Sequence, residues 1–278
     1  MNNSRKLVLG TVQFGLQYGI NSAGRPSKET VSDILFNAQN GGVEILDTSS
    51  AYGNAEEVLG EVKAAQKFKI VSKYPKGEKS VEETFNNSLK ILGADHLYGY
   101  LLHHFEVYKE NKQIWNDFVR LQKEGKVDRI GFSLYEPWEL DTILNDGIPF
   151  SLIQVPYNIF DRQFEPYFKQ LKAMGVEIHV RSTFLQGLFF KDRNTLPEKL
   201  LPLKKYLVQL DEYASGKGIS VGELALNYNI QNPYIDGVLI GVDNKEQLIQ
   251  NFASVKDVEI NLDIKVDDTE LLKPVNWN

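Results

Sequence analysis

The chain has 278 residues, 42% hydrophobic, 24% charged and 11% aromatic, with a formal net charge of −6 and no cysteine. Such a composition suits an ordinary soluble globule, and the acidic balance argues against a nucleic-acid or membrane-surface role without excluding an anionic ligand at a helix N-terminus. Thiol catalysis, disulfides and thiolate metal sites are ruled out. No stretch approaches the ~18 apolar residues of a membrane span, and MNNSRKLVLG lacks the apolar core of a signal peptide, so a cytoplasmic location is expected.

KLVLG (6–10) is the first strand candidate. From Lys28 to Asn40, Val31, Ile34, Leu35 and Ala38 share a helical face that stops at Gly41-Gly42. VEILD (43–47) is a strand, after which Asn54, with Glu57 three residues on, is expected to cap a helix bearing Val58, Leu59 and Val62. FKIVSK (68–73) follows, then a capping-box pattern at Ser80 and Glu83 ahead of Phe85, Leu89 and Leu92. LYGYLLH (97–103) leads to a helix around Ile114, Phe118 and Leu121 that stops at Gly125. RIGFS (129–133) leads to one around Leu140, Ile143 and Leu144. SLIQVPY (151–157) leads to one with Phe164, Phe168 and Leu171 that ends at Gly175. VEIHVRS (176–182) precedes an irregular stretch and two helices split near Gly216-Lys217-Gly218, the second capped by Ser220 and Glu223. GVLIG (237–241) is the last strand, and Asn244 with Gln247 opens the final helix.

Strand and helix alternate eight times with no linker between them, which implies right-handed βαβ units, a parallel sheet and a single (β/α)8 TIM-barrel domain over residues 1–278. A doubly wound open sheet is the competitor. The first loop, GTVQFGLQYG, lacks the GxGxxG turn running straight into a helix that a dinucleotide-binding unit of that kind needs.

In a barrel the strand C-termini share one face, where active sites sit. The polar residues placed there are Asp47 and, in its loop, Tyr52, then Lys73, His103, Ser133, Gln154 and Arg181-Ser182, while the last strand ends at Gly241. A tyrosine is a weak acid, with an ordinary pKa of about 10. A neighbouring ammonium lowers that value by stabilising the phenolate, a carboxylate holds the ammonium, and a histidine orients a carbonyl oxygen. Together they make a proton donor for an oxygen on which negative charge develops, as in reduction of an aldehyde or ketone by hydride. Each residue also has a plainer reading. Asp47 would serve as a loop acceptor, Tyr52 as a packing residue, and Lys73 as a solvated lysine or a Schiff-base nucleophile. His104, next to His103, is taken as structural.

Along nearly its whole length the chain resembles the aldo-keto reductase superfamily. GGVEILDTSSAYGNAEEVLG is similar to the family's Gly-x-x-x-x-Asp-Thr-Ala-x-x-Tyr-Gly-x-x-Glu signature. SKY, YLLHH, IGFSLY, IQVPYN, VRSTFLQGL and VLIGVDNKEQLIQN resemble its later segments in order. The resemblance implies a catalytic tetrad of Asp47, Tyr52, Lys73 and His103, with Tyr52 as proton donor, and no metal. It implies a nicotinamide cofactor across the barrel mouth. Ser133 and Gln154 would hold the carboxamide, and Gly10 and Thr11 would line the ring. Arg181 would stand where an aromatic commonly stacks, and Ser182 with the backbone of Leu185 to Gly187 would meet the pyrophosphate. Gly241, Gln247 and Asn251 would belong to the last cofactor segment.

There are departures. Leu134 replaces the usual asparagine after Ser133. Gly241, Val242 and Gln247 stand where many NADPH-preferring relatives carry Lys, Ser and Arg for the 2′-phosphate. NADPH is the family default, and losing those cations makes NADH use compatible with the sequence. The loops after strands 4 and 7 read as short, so an open pocket is expected, lined by Tyr18, Phe105, Trp138, Phe189 and Phe190. The opening LGTVQFGLQYGI resembles bacterial members linked to surface-sugar metabolism, a lean toward a sugar-like small-molecule carbonyl substrate. The rival functions are a non-catalytic nicotinamide-binding scaffold or sensor and a Schiff-base aldolase using Lys73.

Overall fold

The computed structural model describes residues 3–20, 24–77 and 79–277. Its eight parallel strands close into a barrel in chain order: β1 (Leu7–Gly10), β2 (Ile45–Asp47), β3 (Lys69–Tyr74), β4 (Leu97–Leu102), β5 (Val127–Ser133), β6 (Leu152–Pro156), β7 (Glu177–Arg181) and β8 (Gly237–Gly241). Closure is through β1 and β8, where Leu7 pairs with Val238 and Gly10 with Gly241. An open sheet is excluded.

Around the barrel run α1 (Val12–Gly15), α2 (Lys28–Asn40), α3 (Ala55–Glu61), α4 (Val81–Leu92), α5 (Phe105–Glu110) and α6 (Trp115–Lys123). They are followed by α7 (Pro137–Asp146), α8 (Phe168–Ala173), α9 (Lys204–Gly216), α10 (Val221–Ile230) and α11 (Lys245–Ser254). Val31, Ile34, Leu35 and Ala38 of α2 are buried, as their spacing requires. Ser80 and Ser220 form complete capping boxes with Glu83 and Glu223, and the Asn244 side chain accepts from the Gln247 N–H at 2.9 Å.

Several local expectations differ. The Asn54 side chain makes no cap bond, because its backbone (φ −101°, ψ 24°) departs from the extended form that turns a cap side chain onto the first turn. The helix expected around Ile114 is two helices, α5 and α6, joined by a 3-10 turn at Lys112–Ile114. Phe164 lies before α8, not in it. After β4 only His103 and His104 precede α5, but residues 182–203 separate β7 from α9, so the second loop is not short. Its 3-10 segments bury Leu185, Leu188, Phe189, Leu200 and Leu203 in a second apolar cluster with α9 and α10.

Side chains two apart on a strand share a face. Inside the barrel, Val71, Leu101 and Leu152 form the middle layer. On β7 the inward series is Glu177, His179, Arg181. Glu177 accepts from the Tyr98 hydroxyl at 2.6 Å and hydrogen-bonds His179 Nε2 at 2.7 Å, with Arg129 Nε at 3.4 Å. Burial opposes its ionisation, but His179, Tyr98 and Arg129 outweigh it and hold the carboxyl at about 2.

The Tyr52 loop is positioned by close backbone approach. A Cβ on Gly15 would lie 1.8 Å from the Tyr52 carbonyl oxygen, and one on Gly53 would lie 2.4 Å from that of Gly15. Gly53 also sits at φ +57°. The two glycines let α1 lie flat on the loop.

Two predictions follow from this packing. Gly15→Ala forces backbone apart and should cost about 1–3 kcal/mol or more in urea unfolding, whereas Gly216→Ala, whose Cβ meets nothing within 4 Å at the end of α9, should be neutral or slightly stabilising. Equal effects would refute the packing argument. Because Glu177 is depressed in the folded state, its contribution is present above its ordinary carboxylate value and lost as pH falls toward about 2. Glu177→Gln should therefore remove up to about 3 kcal/mol of stability at neutral pH and flatten the acid limb of the stability–pH curve; an unchanged limb would count against it.

Candidate active site

Asp47, at the end of β2, is 2% exposed and sits between Gly10 and Val71 in register. Thr11 holds that strand end, donating from its N–H and its hydroxyl to the Asp47 carbonyl at 2.9 and 3.0 Å. Lys73, at the inner face of β3, is wholly buried. Its ammonium donates to Asp47 Oδ1 at 2.5 Å, to the Thr48 carbonyl at 2.9 Å and to Tyr52 Oη at 3.4 Å. Gln154 Nε2, from β6, donates to Asp47 Oδ2 at 2.7 Å. Three ammonium hydrogens and both carboxylate oxygens are thus engaged, as a buried ion pair requires.

Tyr52 lies over the ammonium, with Lys73 Nζ 4.9 Å from its ring centroid, and meets the His103 ring edge-on at 5.6 Å. Ser49 Oγ accepts from the Ala51 N–H at 3.1 Å and is 3.2 Å from His103 Nδ1. That oxygen keeps a hydrogen to donate and a second lone pair, so it can pair with Nδ1 in either tautomer of the neutral imidazole. His104 stacks on His103 at 4.7 Å.

The electrostatics differ from the sequence expectation in one respect. Burial, then the Asp47 charge, push the Tyr52 phenol well above its ordinary value, so it is not lowered by the lysine. Asp47, in contact with Lys73, cancels most of the ammonium's field at the phenol. Burial also lowers Lys73, opposed by Asp47. Burial and the Lys73 charge together drive His103 down to about 2, so its imidazole is neutral.

These groups sit at one part of a cleft of about 570 Å³. Of the sequence candidates, Gly10, Thr11, Asp47, Tyr52, Gln154, Arg181, Ser182, Gly187, Gly241, Gln247 and Asn251 line it. Lys73 and His103 are outside the lining: Lys73 lies beneath the Tyr52 ring and the His103 ring stands beside it. Ser133 pairs in register with Gln154 but is 2% exposed and outside the lining. Leu185 is also outside it, buried in the second cluster. Ser182, Leu185 and Gln186 take positive φ (65°, 47° and 50°), turning the loop back over the mouth. Arg181 donates through Nη2 to the Leu134 carbonyl at 2.9 Å and lies 4.1 Å from the Tyr135 ring centroid, so β5 and β7 are joined there. Of the aromatic candidates, Tyr18 and Phe190 line the cleft, Phe105 and Phe189 are core, and Trp138 packs outside on Phe105.

Sequence reasoning missed Gln13 and Asp243, which line the cleft and carry buried acceptors, Oε1 and Oδ1, with no hydrogen-bond partner. It also missed the strap in which Gln186 donates to Tyr18 Oη at 2.8 Å and accepts from the Ile20 N–H at 3.2 Å. All three depend on contacts between loops far apart in sequence. Among the described residues no helix is long and apolar enough to cross a membrane.

The Aldo/keto reductase family model matches residues 6–266. The chain is 24% identical to the uncharacterized oxidoreductase YrpG of Bacillus subtilis, over 98% of this chain and 91% of that protein. It is 26% identical to L-galactose dehydrogenase of Arabidopsis thaliana, over 78% of this chain and 75% of that one. A solved aldo/keto reductase from Klebsiella pneumoniae, in complex with NADP and acetate, shares the fold with a TM-score of 0.69 at 22% identity, covering 92% and 87% of the two chains. With the family's match running from β1 to beyond α11, the chain belongs to the aldo/keto reductases, NAD(P)-dependent oxidoreductases that act on carbonyl groups.

Proposed function

We propose that this chain reduces the carbonyl of a small sugar-like aldehyde or ketone to the alcohol, with Tyr52 as general acid. The observation that carries the reading is the Lys73 ammonium, clamped by Asp47 and the Thr48 carbonyl, with its third hydrogen directed at Tyr52 Oη 3.4 Å away. That contact is long while Tyr52 is a phenol and shortens as the phenol gives up its proton. Lys73 then stabilises the phenolate at the moment it forms, which is the kind of interaction that accelerates a reaction. Neutral His103, in the tautomer with its proton on Nε2, donates to the carbonyl oxygen and orients it toward Tyr52.

The nicotinamide cofactor supplies the hydride when bound in the cleft. The lining fits such a group. Gly10 adds no side chain to the cleft, and Gln13 Oε1 and Asp243 Oδ1 are acceptors awaiting hydroxyl donors. Gln154 is held by Asp47 so that its remaining amide oxygen is available to a carboxamide. Gly10, Thr11, Arg181, Ser182, Gly187, Gly241, Gln247 and Asn251 are the further proposed contacts.

The likeness to L-galactose dehydrogenase supports a sugar. The aldolase reading is disfavoured, because Lys73 is ion-paired beneath Tyr52 and does not line the cleft. A scaffold or sensor would have no need of the ammonium there.

Tyr52→Phe should leave dinucleotide binding, followed by protein fluorescence, nearly unchanged while carbonyl reduction falls at least ~100-fold. Full activity in that variant would overturn the mechanism. With His103 held neutral, kcat/KM should show no inflection near the ordinary histidine value of about 6.5. An inflection there that His103→Gln removes would contradict the neutral imidazole.

A further inference from the structure

We propose that Asp243 makes this chain select NADH over NADPH. The inference rests on the reading above, in which the nicotinamide lies beside Tyr52. The cleft has two unlike ends. Asp47, Tyr52, Gln154 and Arg181 surround one of them, at the C-terminal ends of β2, β6 and β7. The other lies outside the barrel, where Ser220 and Gly222 begin α10 and Asp243, Gln247 and Asn251 come from the loop after β8 and from α11. A dinucleotide with its nicotinamide at the first end places its adenosine ribose at the second.

A 2′-phosphate would meet no cation there. Among the described residues lining the cleft, Arg181 is the only lysine or arginine, and it belongs to the Tyr52 end. Nearby cations are committed elsewhere. Lys245 Nζ pairs with Asp33 at 2.9 Å, and Lys256 pairs with Glu223. What the phosphate would meet is the Asp243 carboxylate, and two like charges in a partly desolvated cleft repel strongly.

A ribose hydroxyl fits the same place. Asp243 Oδ1 is buried without a partner, and so is Gln13 Oε1. The Gln13 amide lies against Gly241, where an added Cβ would come within 2.2 Å of its nitrogen, two residues before Asp243 in the chain. Two unsatisfied acceptors call for two O–H donors, which the ribose diol of NADH has; in NADPH the 2′ donor is gone and negative charge replaces it. The Asp243 backbone is fixed, since its N–H donates to Gln247 Oε1 at 2.8 Å and the Gln247 N–H in turn donates to the Asn244 cap at 2.9 Å.

The test is a fluorescence titration of the full chain with NADH and with NADPH, using wild type, Asp243→Asn and Asp243→Ser. Wild type should bind NADH at least ~10-fold more tightly than NADPH, and added salt should narrow the gap by screening the repulsion. Asp243→Ser should bring the two affinities within ~3-fold, mainly by tighter NADPH binding, with Asp243→Asn between. Circular dichroism and Tm should match wild type, because the backbone bond to Gln247 remains. Equal affinities in wild type, tighter NADPH, or a ratio unchanged in the folded Asp243→Ser variant would overturn the proposal. If such a result came with Tyr52→Phe still abolishing reduction, only the selectivity would fall; a wild type that bound neither dinucleotide would sink both.

Discussion

The buried pair of Asp47 and Lys73 constrains everything around it. Taking both charges out of water is expensive, and their attraction offsets that only when every remaining donor and acceptor finds a partner. The barrel supplies those partners from four places: Gln154 on β6, the Thr48 carbonyl, Tyr52 in the following loop, and the strand end that Thr11 holds. Few folds bring adjacent and opposite strand ends together so closely. Here the inward alternation of β2, β3 and β6 does so, because Asp47, Lys73 and Gln154 all fall on the inner face at the same end.

The same pair explains why Tyr52 is a stronger base and a weaker acid at rest than its neighbours suggest. An ammonium alone would pull the phenol down, but an ammonium in contact with a carboxylate presents little net charge at 3.4 Å. Burial then decides, and the phenol keeps its proton. In the proposed reaction this is useful. The donor stays loaded across neutral pH, and the lysine contributes when the bond to the proton is breaking and not before. Ground-state stabilisation of a phenolate would have wasted the same interaction.

The parts of the fold legible in the sequence were those governed by local rules. Alternation of strand and helix, the capping boxes at Ser80 and Ser220, and the cap at Asn244 depend on residues within one or two turns. Where a local pattern competed with tertiary contact, tertiary contact prevailed. Asn54 has the residue type of a cap, but the packing of Gly15 against the Tyr52 carbonyl sets the backbone there and turns the side chain away. Periodicity placed Asp47, Lys73, His103 and Gln154 at strand ends. It carried no sign that Ser49 would pair with the His103 imidazole, or that Gln186 and Tyr18 would meet across the cleft, since those partners are 54 and 168 residues apart.

Charge is distributed along the cleft in a way that net charge does not reveal. The chain carries −6 overall, and Arg181, the only guanidinium among the described residues lining the cleft, is held at the Tyr52 end by the Leu134 carbonyl and the Tyr135 face. Its field reaches Tyr52, Lys73 and His103, in each case favouring loss of a proton. The opposite end holds Asp243 and amides. In the proposed reaction, a cation at the Tyr52 end would favour negative charge developing on a carbonyl oxygen, while under the proposed selectivity a carboxylate at the far end would favour a neutral ribose. One cleft thereby treats anionic character in opposite ways at its two ends, and a cation added near Asp243 to hold a phosphate would weaken that contrast without touching the proton donor.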